Sequence, residues 1–520
     1  MNLHGNAKRR EKSPDGGTDQ NVFDITQGVA IALFIRHRGK QNHDAYYADL
    51  WGTRESKYAA LEGLDVSDTQ WTKITPAGPL FQLIPLEQKT QSEYMPLWTV
   101  TDVFQVGSNG VQTSRDSLVV GFDAPTLVKR IASFADKNRE VSEVRREFFG
   151  EKSVANYPPG DTREWKLNEA RERLQGMHGW RDAVAAYLYR PFDERILLYS
   201  DVMVDWPRQE VMGQLKQANL AMCIGRAGLV ASGAWDLLFC TQRICDHNLF
   251  YRGSSLNFPL YMYTAEVSKA GQAQLDVQTT HWPLGRGGRR PNLNPEFIGD
   301  LERRLGLSFI SDGKGDLKKT FGPEDVFDYI YAVFHSPTYR TRYAEFLKSD
   351  FPRVPLTSDM NLFRTLCALG AELVALHLLE SPKLEKPIAR YPVKGPDHVE
   401  KGFPKYLAPG ESEPDSRKPV KEGRVYINKG TVAPVSSPAT GDETSPLQKT
   451  GGQYFEGVPP EVWNFHIGGY QVCDKWLKDR RGRTLTYDDQ LHYCKAVTAL
   501  SETLRLMAEI DAAIPKWPIE

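Results

Sequence analysis

The apolar positions of this chain fall in short blocks whose period changes along its length. Gly28-Val29-Ala30-Ile31-Ala32-Leu33-Phe34-Ile35 is a continuous apolar run of strand length, the pattern of a strand covered on both faces. A charged turn from Arg36 to Asp44 leads to a second predicted strand, Ala45–Leu50. Thr53 then stands where it can cap a short helix through Leu61. No earlier strand is predicted. Because two strands alone are marginal, the opening reads as the last hairpin of a larger sheet, the truncated end of an α/β domain.

From about Leu97 the pattern changes. Ser117–Phe122 predicts a strand, and Asp123 is placed to cap a helix with Pro125 in its first turn. Residues 126–149 and 163–188 read as helical. Ile196–Tyr199, Leu220–Ile224, Leu237–Cys240 and Phe258–Tyr263 read as short strands, and helices are predicted at 295–306, 323–348 and 359–380. The order is α+β, without regular βαβ alternation. Residues 381–450, rich in Pro, Gly, Lys, Glu and Ser, suit a linker with a few ordered strands such as Arg424–Ile427. Two helices close the chain, at about 459–480 and 486–512. The second carries Leu491, Val497, Leu500, Leu504 and Met507 at near-helical spacing. No internal repeat is visible.

Composition narrows the classes. A chain of 520 residues should hold more than one domain, and 40% hydrophobic content excludes bulk disorder. Lys+Arg number 65 against 66 Asp+Glu, so a polyanion would have to be held by a local patch. The cysteines, Cys223, Cys240, Cys245, Cys367, Cys473 and Cys494, form no CxxC pair and no zinc spacing. Buried thiols in a reducing compartment are expected. The N-terminus lacks the apolar stretch of a signal peptide, and no apolar run is read as long enough to span a bilayer; the expected location is the cytoplasm, without a membrane partner.

The basic loop Arg286-Gly287-Gly288-Arg289-Arg290-Pro291-Asn292-Leu293-Asn294 is the sharpest local signal. Glycines let backbone approach phosphate. Arg286, Arg289 and Arg290 suit phosphates or the O6/N7 edge of guanine, and Asn292 and Asn294 suit adenine. The run Asp246–Ser255 places Asn248, Tyr251 and Arg252 where a groove could be covered, or it serves as a strand connection. Lys314, Lys318 and Lys319 form a second basic cluster suited to backbone contacts or to a solvated face.

Other groups read as structure. Tyr157-Pro158-Pro159-Gly160 has the paired prolines of an adenine methyltransferase motif but lacks its Asn/Asp and final aromatic, and predicts a turn. Asp312-Gly313-Lys314-Gly315-Asp316 is a turn without the P-loop pattern. Phe327, Ile330, Tyr331 and Phe334 form a helical core stripe, which takes His335, Tyr339, Arg340, Arg342 and Tyr343 with it. Asp201 and Asp205 read as turn and cap residues, and Trp463, His466 and Trp476 as packing for the terminal helices.

Longer stretches carry a resemblance. GNAKRREKSPDGGTDQNVFDITQGVAIALFIRH resembles the closing stretch of the N6-adenine methyltransferase domain in Type ISP restriction–modification enzymes. YRPFDERILLYSDVMVDWPR, FGPEDVFDYIYAVFHSPTYRTRYAEFLKSDFPRVPL and GVPPEVWNFHIGGYQVCDKWLKDRRGR resemble that family's C-terminal specificity domain. The resemblance implies residues 1–62 as the end of the methyltransferase domain and 63–96 as a connector. It implies a mixed α/β target-recognition domain over 97–385, a linker over 386–450 and the C-terminal helical part over 451–520. It also implies binding of double-stranded DNA, and S-adenosylmethionine as a cofactor of the full-length family. The methyl-donor loop, Asn-Pro-Pro-Tyr, the P-loop and nuclease motifs are not found in this sequence. No cofactor, metal or catalytic residue is therefore expected here, and a separate upstream methyltransferase, translocase or nuclease polypeptide becomes a partner. The alternative is half of a split DNA adenine methyltransferase.

Overall fold

A computed structural model of the chain describes residues 1–7, 11–36, 39, 44–76, 78, 81–152, 156–226, 235–251, 255–263, 281–412, 418–430, 432–434, 447–449 and 452–520. Two four-stranded sheets lie at its centre. In one, Leu238–Thr241, Ala221–Ile224, Leu256–Pro259 and Ser108–Asn109 run side by side, each pair antiparallel. In the other, Ile244–Cys245 runs parallel to Val184–Arg190, which pairs antiparallel with Asp193–Leu198, followed by Val120–Gly121. The first sheet's strands 221–224 and 238–241 are buried at every position, as four-residue apolar runs require when both faces are covered.

Three helices cover these sheets. Pro323–His335 is buried at every position but Glu324, so it is a central helix rather than an amphipathic one. It crosses Met360–His377, which Asp359 caps by accepting from the amides of Asn361 (2.7 Å) and Leu362 (3.2 Å). Tyr487–Ala513, capped by Thr486, packs on both. At the crossing a Cβ on Gly370 would stand 1.9 Å from the carbonyl oxygen of Asp328. Backbone on both sides cannot yield locally, so Gly370→Ala is expected to cost about 3 kcal/mol, read as a lowered urea midpoint. A loss under 1 kcal/mol would show that the helices slide apart easily. By length and composition alone Met360–Glu385 is one stretch apolar enough to cross a membrane, an exception to the sequence reading, and half of it is buried inside the protein.

The apolar core runs continuously from Tyr94 to Ile519, whereas Leu3, Val22, Ala48 and Ile74 are buried outside it. The N-terminal 60 residues differ most from expectation. An earlier strand does exist: Asn2–His4 pairs with Val29–Ala30. The run Gly28–Ile35 contributes only those two residues to a strand, and Leu33, Phe34 and Ile35 are 67%, 88% and 77% exposed. An apolar run forms a buried strand only where layers cover it, and the described residues supply one short partner. This unit is instead pinned by Lys57. Its buried ammonium meets Asp19 at 2.7 Å and the carbonyls of Leu3 and Gln20. Thr53 caps Arg54–Gly63 as predicted, and Ala45–Tyr47 pairs with Thr72–Ile74.

Elsewhere the corrections are local. Asp116–Val119 forms a helical turn before the Val120–Gly121 strand, where Ser117–Phe122 reads as one strand. The helix read over 163–188 is confined to Leu167–Gly176; Val184–Arg190 is a strand, because its neighbour Asp193–Leu198 supplies the pairing. Residues 323–348 break at Ser336 and Tyr343 into three helices, with proline starting the second. The helix read over 459–480 is interrupted by a hairpin, His466–Ile467 with Tyr470–Gln471, built on Gly468 and Gly469 at φ 59° and 78°. His466 sits exposed there instead of packing, while Trp476 is buried and Trp463 stacks on Tyr406. In the Pro/Gly-rich stretch, Lys405–Leu407 and Arg424–Tyr426 join Tyr454–Glu456 in a sheet over buried Val425 and Phe455. Tyr157–Gly160 is a turn, with the Asp161 amide donating to Pro158. All six cysteines are buried and free.

Candidate nucleic-acid interface

The basic loop is shaped by its glycines. Gly287 and Gly288 take φ of 64° and 75°, which turns the chain into the Arg289–Pro291 strand beside Tyr261–Tyr263. Asp312 from the neighbouring loop receives this turn. It accepts from the Arg286 amide (3.1 Å) and from Arg289 Nε (2.8 Å), and pairs with Arg289 Nη2 at 2.7 Å. Arg289 also lies 3.7 Å over the Tyr261 ring and donates to the Ala218 carbonyl. It is therefore a positioning residue. Arg286 projects into solvent, 3.7 Å from Asp312.

Arg290 points to the opposite face, since strand side chains alternate. It is half-buried; its Nε is enclosed without a hydrogen-bond partner, and no ion pair to it exists among the described residues. Asn292 and Asn294, read as base contacts, do other work. Asn292 is fully buried; its side chain accepts from the Val106 amide (2.8 Å) and donates to the carbonyls of Val106 (2.7 Å) and Pro259 (2.8 Å). Asn294 caps the Pro295–Leu305 helix and donates to Asp102. Both fasten the loop to residues 186 and 192 positions away, leaving no donor–acceptor face for a base.

The second lysine cluster divides similarly. Lys314 pairs with buried Asp328 at 2.7 Å. Burial pushes the Asp328 carboxyl up to about 7, against the pull of Lys314. Lys318 and Lys319 are exposed and have no ion pair among the described residues. The amides of Lys319 (2.8 Å), Lys318 and Thr320 (2.9 Å each) donate to Asp316 Oδ1, which holds that carboxyl well below its usual range and fixes the loop. Asp312 and these lysines belong to one loop, so the structure brings Arg286, Lys318 and Lys319 onto neighbouring loops pinned at Asp312, with Arg290 on the other face of the 289–291 strand.

Asn248 lies elsewhere, on a polar groove of about 470 Å³ lined by residues 111–114, Asp116 and 246–248, and Tyr251 lies three residues further along the chain, against the 466–471 hairpin. Its floor is Asp246, buried, 2.9 Å from Arg190 and hydrogen-bonded by the Tyr187 hydroxyl. Burial raises the Asp246 carboxyl while Arg190 and Tyr187 pull it down. The Asn248 amide donates to Asp246 at 2.6 Å, which aims the exposed Asn248 side chain outward. Gly110 is required beneath, because a Cβ there would come within 2.5 Å of Asp246 backbone. The Tyr251 amide donates to Gly468, and its exposed ring meets Tyr470 edge-on at 5.6 Å. Arg252 lies outside the described residues.

Sequence reasoning missed the turn that adjoins this groove. Gln112 pairs through its backbone with Trp206, 94 positions on. Trp206 is 48% exposed, and Arg208 stacks on it at 4.7 Å. Arg208 Nε is buried without a partner, and no ion pair to Arg208 exists among the described residues. Arg208 and Ser114 hold left-handed backbone, φ 53° and 57°, which costs a non-glycine residue about 1 kcal/mol and is concentrated at functional surfaces. The one linear signal, Trp206-Pro207-Arg208, is an aromatic beside a cation in a turn, and the pairing to Gln112 is long-range. Asp205, read as a turn or cap residue, is instead paired with buried Arg115. Segment 206–219 connects the two surfaces: Trp206 borders the groove, and Ala218 receives Arg289 and Tyr263.

The chain belongs to the family of Type ISP C-terminal specificity domains, whose model matches residues 102–509. Its fold is similar to a nuclease-deletion mutant of the Type ISP restriction–modification enzyme LlaGI in complex with a DNA substrate mimic. There the identity is 17% and the TM-score 0.59, over 100% of this chain and 37% of that one. It is similar also to the ATP-dependent Type ISP enzyme LlaBIII bound to DNA, at 16% identity and TM-score 0.61, covering 100% and 31%. A third likeness is to DrdV in a DNA complex, at 17% and 0.61, covering 98% and 47%. The chain thus spans less than half the length of each of these proteins. No curated protein matches it.

Proposed function

We propose that this chain recognises a target sequence in double-stranded DNA for a Type ISP restriction–modification enzyme. The observation that carries the reading is the pair of loops pinned at Asp312. They leave Arg290, Lys318 and Lys319 without ion-pair partners among the described residues, in a chain of net charge −1. Such cations neutralise phosphates and release counterions, so binding is local and salt-dependent. Titration of a labelled duplex at two salt concentrations tests this. Affinity should fall steeply with salt, and Lys318→Ala with Lys319→Ala should lower the slope of log K against log salt by about two. Affinity independent of salt would contradict it.

The same reading assigns residues 1–62 to the end of a methyltransferase-type sheet. The exposed Leu33, Phe34 and Ile35 support it, as a surface for a catalytic part of the enzyme where S-adenosylmethionine would be held.

A further inference from the structure

We propose that the groove lined by Gln112–Ser114 and His247–Asn248, together with the Trp206–Arg208 turn that adjoins it at Gln112, reads base edges, with Arg208 directed to a guanine and Asn248 to an adenine. This rests on the reading of the chain as a DNA target-recognition module and divides its surface into two tasks.

The division follows from charge. Asp116 and Asp246 line the groove, which makes it hostile to phosphate. Asp246 is held by Arg190 and Tyr187, and Asp116 by the Tyr189 hydroxyl at 2.9 Å and by Thr113. The carboxylates therefore do not swing out to neutralise Arg208. What the groove offers outward is hydrogen-bonding capacity without net positive charge. The Asn248 side-chain carboxamide and the Arg208 guanidinium have no hydrogen-bond partner among the described residues, and buried His247 Nδ1 has none either. Those are the groups that distinguish base pairs: Arg spans guanine O6 and N7, and Asn spans adenine N6 and N7. Phosphates find their cations on the other surface, at Lys318 and Lys319.

The reading side chains are also held in place. Asn248 is aimed by its own amide on Asp246, and Arg208 is stacked on Trp206 and set by a left-handed backbone. Preorganised groups lose little freedom on binding, which favours discrimination over bulk affinity.

The test uses the full chain and a randomised duplex library. Rounds of selection define the sequence that the wild type enriches. Arg208→Ala, Arg208→Lys and Asn248→Ala are then titrated on that duplex, on its single-base-pair variants and on a scrambled duplex. The expected result is that each variant loses about 5–150-fold discrimination at one base pair, a G·C pair for Arg208 and an A·T pair for Asn248. Affinity for the scrambled duplex should stay within about twofold, which also reports that the variants fold. Arg208→Lys should lose the preference as Arg208→Ala does, because the ammonium lacks the guanidinium fork. If all three variants enrich the wild-type sequence with unchanged discrimination, the groove does not read bases, while the DNA-recognition reading stands. If affinity falls equally on every duplex, these residues hold phosphate and the division is wrong. If the wild type enriches no sequence, the DNA-recognition reading itself fails, and this assignment falls with it.

Discussion

Asp193→Ala is expected to lower folding stability by about 3–5 kcal/mol. Asp193 is 1% exposed and closes the hairpin between Val184–Arg190 and Asp193–Leu198. Its carboxylate accepts from Arg195 at 2.7 and 3.1 Å and from Arg480 at 3.0 Å. Arg480 comes from the turn after Val472–Lys478 and stacks on Trp476 at 3.3 Å, so one carboxylate ties the second sheet to the C-terminal helices. Burial opposes the charged form of Asp193, and the guanidiniums of Arg480 and Arg195 outweigh it, leaving the carboxyl below its usual range. Removing it leaves two buried cations with one carboxylate each, Asp479 for Arg195 and Asp489 for Arg480, and that is what makes the loss large. The sign with pH follows. A lowered folded pKa contributes stability above the unfolded value near 4, and loses it as pH falls below. The deficit of Asp193→Ala should therefore be full at pH 7 and shrink below pH 4, as urea unfolding at several pH values would show. A loss under about 1 kcal/mol at pH 7 would mean that the pairs Arg195 and Arg480 already make with Asp479 (3.1 Å) and Asp489 (3.6 Å) suffice to hold them.

How far this surface could be read from the chain depends on the range of the contacts involved. Local signals held. Asp123 caps Ala124–Ala135 with Pro125 behind it, Thr53 caps its helix, and Met360–His377 falls inside the predicted segment. Pairing decided the rest. Val184–Arg190 has Ala, Tyr and Leu, which suit a helix as well as a strand, and only its neighbours settle the matter. Asn292 looks like a base reader beside three arginines, yet its partner Val106 is 186 positions away. Arg289 and Arg290 are indistinguishable in sequence. The strand alternation sends one onto Asp312 and Tyr261 and leaves the other unpaired. The continuous apolar run at 28–35 misled for the converse reason. Its composition is that of a covered strand, and the described residues do not cover it.

A second large effect is expected at acid pH, and His377 isolates it. This histidine is buried among the rings of Phe192, Phe239, Tyr331 and His335. Thr503 donates its own hydroxyl to the Ala499 carbonyl at 2.7 Å, so at 3.0 Å it accepts from His377 Nε2–H. That leaves Nδ1 to accept from the Tyr331 hydroxyl at 2.5 Å, and the neutral ring satisfies both bonds. A proton on Nδ1 would face a hydroxyl that must turn away, in a site without carboxylate contact among the described residues. Burial therefore pushes the pKa down from 6.5 to about 3, with Arg340 acting in the same direction. The unfolded chain binds a proton here below pH 6.5 and the folded chain does not, so stability falls with pH by about 1.4 kcal/mol per unit from this residue. Asp328, raised to about 7, works in the opposite sense between about pH 4 and 7, since there the folded state keeps a proton that the unfolded state releases. The whole-protein curve mixes the two, and His377→Gln separates them. The Gln variant should be the less stable form at pH 7, where it loses ring packing. The gap should then shift in its favour by about 3 kcal/mol between pH 6 and pH 4, read from urea midpoints at each pH. A gap that stays constant over that range would mean that His377 is protonated in the folded protein, and the neutral, fully bonded ring would have to be abandoned.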